Sequence, residues 1–158
     1  MSDLHHRLIT FLDDNHISYQ LIQHPPTLTS QDAAGVRGTL PSQGAKAMLF
    51  MADKQPILLV LSGDKKIDSS LFKKTYHFKD LKLVPYEQVE SITGALPGAV
   101  PPFGNLFKVQ VYVDQGLLVN ESIAFNAGLR TASVIMKTVD YLNLVKPCIG
   151  NYAQISHS

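Results

Sequence analysis

Cysteine is almost absent from this 158-residue chain, which contains Cys148 alone and no tryptophan. A single cysteine cannot form an internal disulfide and has no CxxC partner for zinc, so the composition fits a reducing compartment. Long apolar runs are also missing, since no stretch approaches the roughly 18 residues of a membrane span. The first fifteen residues carry charged and histidine side chains instead of the apolar core of a signal peptide. We therefore expect a cytoplasmic protein without a membrane partner, folded as one domain over residues 1–158.

Net charge is small as well. The chain has 14 lysines and arginines against 13 acidic residues, which gives +1 at pH 7. This balance excludes the strongly basic character of proteins that coat nucleic acid, and no DNA partner is expected. Charge is nevertheless uneven, because the lysine-rich stretch from Lys65 to Lys82 has a local net charge of +4. The stretch is either a solvated helix face or a patch that contacts phosphates.

The apolar pattern predicts interspersed helices and strands. Residues 3–15 repeat apolar side chains at helical spacing behind Ser2, a good N-cap residue. The runs AKAMLFMA and PILLVLSG flank DKQ and predict a hairpin whose strands are covered on both faces. Further helices are predicted over 29–35, ending at Gly35, over 86–93 and over 138–145, and further strands over 17–24, 106–114, 122–128 and 131–136. Because a regular βαβ rhythm is missing, we expect an α+β fold: a mixed, mainly antiparallel sheet with flanking helices.

Lys46 is out of place in this pattern. Strand alternation puts it on the same face as Met48 and Phe50, and the opposite face is also apolar. Lysine is almost never fully buried without a partner, because desolvation of an ammonium group is costly. Either the side chain extends into water near the start of the strand, or it faces an anionic ligand in a cleft. The residue pattern alone leaves both alternatives open.

Residues 94–105, with the sequence GALPGAVPPFGN, form a loop rich in glycine and proline. Pro101 and Pro102 hold the chain extended but supply no amide donors, so the nearest donors are the amides of residues 103–105. Glycines permit close approach of a ligand, and the loop is therefore able to present successive N–H groups to a carbonyl oxygen or a phosphate. A rigid surface connector or a proline-rich ligand for a partner domain explains the same composition.

No catalytic or metal-binding motif accompanies these features. The six histidines and Cys148 form no recognisable Ser-His-Asp or Cys-His arrangement. His5 and His6 are adjacent, which is not the spacing of two ligands on one helix face, and no third ligand follows. We therefore expect no metal and no cofactor.

An ordered set of motifs extends through most of the chain: HPP at 24–26, GAKAMLF at 44–50, LVLSGDKKID at 59–68, GALPGAVPPFG at 94–104, a strand ending in Asp114, and FNAGLRTAS at 125–133. In this order the chain resembles the YbaK/prolyl-tRNA-editing domain family of aminoacyl-tRNA deacylases, over residues 2–145. The resemblance implies a mainly antiparallel sheet or partial barrel with flanking helices.

The resemblance also implies a set of site residues. Lys46 corresponds to the active-site lysine of the family, and Phe103 and Gly104 are implied to supply amides that stabilise the reaction. The remaining residues are implied to bind substrate: His24, Gly98, Pro101, Pro102, Asn105, Asn126, Gly128 and Ser133, with Phe125 in the same wall. For the acceptor stem of tRNA, we expect contacts from Lys65, Lys66, Lys73 and Lys74.

The implied activity is that of a free-standing hydrolase that acts in trans on a mischarged aminoacyl-tRNA, with a synthetase as a further partner. Because the ester is already activated, hydrolysis needs a positioned water and a stabilised oxyanion instead of a strong protein nucleophile. The amino acid belongs to the small class of alanine, serine, threonine, proline and cysteine, and the sequence does not choose among them. The alternatives are a non-catalytic module that binds tRNA or a synthetase, and an enzyme that hydrolyses small nucleotide or amino-acid esters.

Overall fold

Helices and strands alternate irregularly along the chain. The computed structural model describes residues 3–27 and 29–155, so Ser2, the predicted N-cap, lies outside the described residues. The helices are α1 (Asp3–Asp14), α2 (Ser30–Arg37), α3 (Ser69–Tyr76), α4 (Tyr86–Thr93) and α5 (Thr138–Val145). The strands are β1 (Tyr19–Gln23), β2 (Ala45–Ala52), β3 (Gln55–Ser62), β4 (Lys65–Ile67), β5 (Leu81–Leu83), β6 (Gln110–Asp114), β7 (Ser122–Leu129), β8 (Ala132–Lys137), β9 (Cys148–Gly150) and β10 (Ala153–Ile155). Short 3-10 helices cover Pro41–Gln43, Gly104–Leu106 and Gln115–Val119.

The strands form two sheets and one short ribbon. The larger sheet has the order β5-β2-β3-β6-β9, the smaller one β1-β8-β7, and β4 pairs with β10. The pairs β3/β6 and β6/β9 are parallel and the other pairs are antiparallel. A parallel bridge between Gly44 and Ala124 joins the two sheets at one point. The predicted mixed, mainly antiparallel sheet with flanking helices is therefore confirmed.

The central hairpin has the predicted two-sided burial. Along β3, Leu58 and Val60 belong to the main core, whereas Ile57 and Leu59 belong to a second cluster on the opposite face. A strand covered on both faces reads as a continuous apolar run, because alternate residues are buried in different layers. The main core is completed by α1, the smaller sheet and the side chain of Phe103.

Helix α2 is longer than predicted. It continues through Gly35 to Arg37 and ends at Gly38, which has the left-handed φ of 72° that a helix stop favours. Thr29 is the N-cap, and its side chain accepts a hydrogen bond from the amide of Asp32 at 3.0 Å. The extra residues matter because they bring Arg37 to the end of the helix.

Strand β6 is shorter than predicted, since it begins at Gln110 instead of residue 106. The chain before it forms the 3-10 helix Gly104–Leu106, and Lys108 has a positive φ of 60°. The alternation of apolar and polar residues in the sequence therefore begins before the strand does, in a segment whose backbone is not extended. Within the described ranges, no helix is long and apolar enough to cross a membrane.

Candidate active site

A cavity of about 230 Å³ opens beside the bridge that joins the two sheets. Its walls come from α2, the start of β2, the loop after α4 and β7. Small and polar side chains predominate, which leaves room for a ligand and offers it hydrogen-bonding groups. The lining residues are Thr27, Thr29, Ser30, Ala33, Arg37, Gly44, Ala45, Lys46, Ala47, Gly63, Gly98, Val100 and Asn126.

Lys46 lies on the wall of this cavity, at the second residue of β2. Its side chain is half-buried, and Nζ donates a hydrogen bond to the carbonyl oxygen of Lys65. Burial lowers the pKa of Lys46, and the nearby negative charge of Asp64 partly opposes this effect. Lys46 therefore lies beside a cleft, which is the position that the second alternative from the sequence requires. The anionic ligand of that alternative stays a prediction.

Arg37 supplies a second cation to the cavity, and the sequence reading did not identify it. From the last residue of α2, its Nε donates to Ser133 Oγ at 2.9 Å and its Nη2 donates to Asn126 Oδ1 at 3.0 Å. Burial lowers the pKa of Arg37 to about 10, which leaves the guanidinium charged near neutral pH. The arginine thus joins α2 to the smaller sheet across the back of the cavity.

His24, Ser133 and Asn126 form a hydrogen-bonded group around this guanidinium. His24 Nδ1 is 2.9 Å from the carbonyl oxygen of Pro25, which can only accept, so Nδ1 carries a proton. The other ring nitrogen, Nε2, lies 2.7 Å from Ser133 Oγ, and the Ser133 hydroxyl also lies 3.2 Å from Asn126 Oδ1. Asn126 Nδ2 donates to the carbonyl oxygen of Gly98. The network therefore fixes Gly98 at the cavity through Asn126 and Arg37.

Four of the eight predicted substrate-binding residues lie at the cavity or directly behind it. Gly98 and Asn126 line the cavity itself, and His24 and Ser133 lie behind Arg37 in the network described above. Gly128 does not reach the cavity. A Cβ atom at this position would lie 2.9 Å from the backbone nitrogen of His5 in α1. We therefore reassign Gly128 from substrate binding to the packing of β7 against α1.

The structure does not bring the end of the proline loop to Lys46. Pro101, Pro102, Phe103 and Gly104 are buried, Asn105 is exposed, and none of the five lines the cavity. The hydroxyl of Tyr141 donates to the carbonyl oxygen of Pro102 at 2.7 Å. The loop instead meets the cavity earlier than predicted, at Gly98 and Val100.

Phe103 and Gly104 have packing roles in place of the predicted catalytic ones. The Phe103 ring contacts the rings of Phe11, Phe125 and Tyr141 at centroid distances of 6.2, 5.4 and 5.3 Å. At Gly104, a Cβ atom would lie 2.3 Å from the carbonyl oxygen of Val109, so the glycine permits close contact with the chain before β6. Phe125, predicted in the pocket wall, is part of the same core. The predicted pairing of amides 103–105 with Lys46 is therefore not supported.

A second cavity of about 200 Å³ adjoins the first and shares Ala47, Gly98 and Val100 with it. Its remaining lining is apolar and includes Leu83, Val84 and Pro97. Tyr86 stands at this wall, and its hydroxyl accepts a hydrogen bond from Arg130 Nη2 at 3.2 Å. The two cavities together form a cleft that is cationic at one end and apolar at the other.

The predicted tRNA-contacting lysines lie on two elements near the cationic end. Lys65 and Lys66 are in β4, where the carbonyl oxygen of Lys65 accepts the hydrogen bond from Lys46, and Lys73 and Lys74 are in the last turn of α3.

Among the described residues, the only ion pair joins Lys82 to Asp80. The same part of the chain contains no group of three histidine, cysteine or carboxylate side chains that could hold a metal ion.

The fold and the cleft define a small α+β domain with a ligand-sized cationic site between two sheets. The chain belongs to the aminoacyl-tRNA editing domain family, whose model matches residues 24–144. This confirms the family predicted from the ordered motifs.

Individual relatives agree over nearly the full chain. The multifunctional Ser/Thr-tRNA deacylase ProXp-y of Escherichia coli (strain K12) is 31% identical over 153 residues, which cover 94% of this chain and 92% of the relative. The prolyl-tRNA editing protein ProX of Acetoanaerobium sticklandii is 26% identical, covering 91% and 92%. A crystal structure of a candidate trans-editing enzyme for prolyl tRNA synthetase superposes with a TM-score of 0.85 at 23% identity, over 98% and 99% of the two chains. The predicted enzyme class, an aminoacyl-tRNA deacylase, is thereby confirmed.

Proposed function

We propose that this chain hydrolyses the ester of a tRNA mischarged with a small amino acid, acts in trans, and uses Lys46 and Arg37 to bind the substrate's anionic groups. The observation that carries the proposal is that two half-buried cations face one cavity whose lining contains no carboxylate. Cations attract phosphate oxygens and a developing oxyanion. The negative charge of Asp64 acts on Lys46 from outside this lining. The similarity to a Ser/Thr-tRNA deacylase over 94% of the chain supports the same substrate class.

The chemistry needs little from the protein beyond binding and electrostatics. An aminoacyl ester is activated, so a positioned water completes the reaction once the tetrahedral oxyanion is stabilised. Lys46 either binds the terminal phosphate or polarises the ester carbonyl. Arg37 uses two nitrogens on Ser133 and Asn126, and its Nη1 lies toward Gly44, where an added Cβ would be 3.5 Å away. The guanidinium therefore retains donors for a ligand in the cavity.

The dimensions of the cleft favour a small aminoacyl group. Alanine residues 33, 45 and 47 line a cavity of about 230 Å³ that also has to admit the ester and its ribose. The adjoining apolar cavity offers space for the base of the terminal nucleotide.

The acceptor stem of the tRNA lies outside the cleft in this proposal and contacts four lysines: Lys65, Lys66, Lys73 and Lys74. These contacts predict tRNA binding that weakens as salt rises. The synthetase that mischarges the tRNA is the further partner we propose.

The test is deacylation of purified tRNAs charged with alanine, serine, threonine, proline or cysteine. Wild-type protein is expected to deacylate at least one of them, and Lys46→Ala to lower the rate about 100-fold or more while remaining folded. Lys137→Ala is the matched control, because Lys137 is exposed and lies outside both the cavity lining and the lysine-rich stretch. Binding of tRNA without lysine-dependent deacylation would support the non-catalytic module instead. Equal turnover of free amino-acid esters would point to the small-ester enzyme.

A further inference from the structure

The ammonium group of Lys46 is held by a short strand from another part of the chain. Its Nζ donates to the carbonyl oxygen of Lys65, the first residue of β4. Within the described residues, the strand partner of β4 is β10, and Lys65 lies opposite Ile155 in their antiparallel register. Two strands of three residues are weak in isolation. The Lys65 carbonyl is therefore held from two sides, by the short turn that joins β3 to β4 and by the pairing with β10.

Asp114 holds β10 from inside the molecule. This buried carboxylate ends β6, and its Oδ1 accepts hydrogen bonds from the amides of Tyr152 at 2.8 Å and Ala153 at 2.9 Å. Its Oδ2 accepts from the amide of Gly116 at 2.9 Å. Hydrogen bonds to a carboxylate are stronger than those between neutral groups. Asp114 thus ties the chain at the start of β10 to the central sheet.

Tyr152 anchors the other side of the same ribbon. Its carbonyl oxygen accepts from the amide of Asp68, the residue that follows β4, at 2.7 Å. Its buried hydroxyl lies 2.9 Å from the carbonyl oxygen of Val60 and 2.6 Å from that of Tyr112, on two strands of the larger sheet. Asp114 and residues 152–155, here called the C-terminal clamp, therefore connect the sheet to the strand that carries the Lys65 carbonyl.

We propose that the C-terminal clamp positions Lys46, and that Asp114 is a positioning residue of the active site although it does not line the cavity. The family match ends at residue 144, before the segment that completes the clamp. The series of contacts from Asp114 through β10, β4 and the Lys65 carbonyl leads to Lys46 Nζ without a gap. The placement of the ammonium follows from the structure alone, whereas its effect on turnover rests on the proposed function.

The test compares Asp114→Asn with wild type by two independent readouts. The first is the NMR signal of Lys46 in protein whose lysines carry ¹³C-methyl groups, assigned by its absence from Lys46→Arg. The second is deacylation of charged tRNA, analysed as kcat and KM. We expect a shifted Lys46 signal and a kcat/KM about tenfold lower, because the displaced ammonium no longer meets the substrate's anionic groups. The loss falls on kcat if Lys46 polarises the ester and on KM if it binds the terminal phosphate.

Asp53→Asn is the matched control. The Asp53 carboxylate also accepts backbone amides, from Lys79 at 3.0 Å and Asp80 at 2.8 Å, but it follows the far end of β2. Seven residues of extended strand separate it from Lys46 by about 23 Å. This variant is expected to leave both the Lys46 signal and kcat/KM at their wild-type values.

If Asp114→Asn does not fold, Ala153→Pro is tested in its place, with the same shift of the Lys46 signal and the same loss of activity expected. It removes one donor to Asp114 and leaves the carboxylate in place. A Lys46 signal or a kcat/KM unchanged from wild type in the folded variant overturns the proposal, as does an equal loss of kcat/KM in Asp53→Asn. If wild-type protein deacylates no charged tRNA, the proposed function fails, and the Lys46 signal still decides whether the clamp positions the lysine.

Discussion

The loop 94–105 has two parts, called here the first half (94–100) and the second half (101–105), which are both rich in glycine and proline but differ in what they contact. In the first half, Gly98 and Val100 line the cavity that contains Lys46, and the Gly98 carbonyl is held by Asn126. In the second half, the carbonyl of Pro102 accepts the hydroxyl of the buried Tyr141, and Phe103 is fully buried in the main core. One half therefore faces the ligand and the other anchors the loop.

The comparison indicates why a stiff loop is useful beside an active site. Adjacent prolines restrict the backbone, and the aromatic ring that follows them is fixed by three other rings. A segment anchored in this way holds the preceding residues at the cavity with little conformational freedom. Preorganised groups lose less on binding and stabilise charge better in the transition state. Substitutions in the two halves should consequently affect different properties.

The largest expected effect is that of Phe103→Ala in the anchoring half. Removal of a fully buried phenylalanine leaves a cavity and is expected to lower the free energy of unfolding by about 3–5 kcal/mol. Urea denaturation followed by circular dichroism measures this loss. Well below the new melting temperature, deacylation per folded molecule should stay within a few-fold of wild type. Because Phe103→Ala keeps the backbone amide, a selective loss of kcat in the fully folded variant would mean that the ring itself shapes the active site.

Compared with Phe103→Ala, Gly98→Ala is expected to lower stability less and deacylation activity more. Gly98 has a φ of 87°, so an alanine there is strained by about 1–2 kcal/mol, and its methyl group adds bulk beside the cavity. Gly94→Ala is the matched control, because Gly94 has a φ of 89° at the end of α4 and does not line the cavity. Both variants should lose similar stability in urea, but only Gly98→Ala should lower kcat/KM. Equal activity of the two would mean that Gly98 does not shape the site, although it lines the cavity.

Much of the fold was predictable because its signals are local. Alternating burial over β2 and β3, apolar spacing in α1 and the stop at Gly94 are properties of short segments. Where two local signals competed, the prediction failed. Gly35 was interpreted as a helix stop although Gly38, three residues later, is the glycine with positive φ.

The candidate site was less predictable because it depends on that helix boundary and on distant packing. With α2 ending at Gly35, Arg37 falls in a loop and gives no reason to expect a cation at the cavity. Its partners Asn126 and Ser133 are 89 and 96 residues away along the chain, a distance that apolar periodicity does not bridge. The signal that could have identified it is Gly38, because a helix that ends there has Arg37 as its last residue. Similarly, composition alone does not distinguish the half of the proline loop that faces a ligand from the half that faces the core.

Asn105→Ala is expected to have the smallest effect and gives the most direct test of the boundary between the halves. The resemblance assigned Asn105 to substrate binding, but the residue is exposed, lies in the 3-10 helix after the buried Phe103, and does not line the cavity. Surface substitutions away from caps and networks usually change the free energy of unfolding by less than about 0.5 kcal/mol. Both urea denaturation and kcat/KM for charged tRNA should therefore match wild type. A several-fold rise in KM at unchanged stability would instead mean that substrate extends past Phe103, and that the second half of the loop also contacts the ligand.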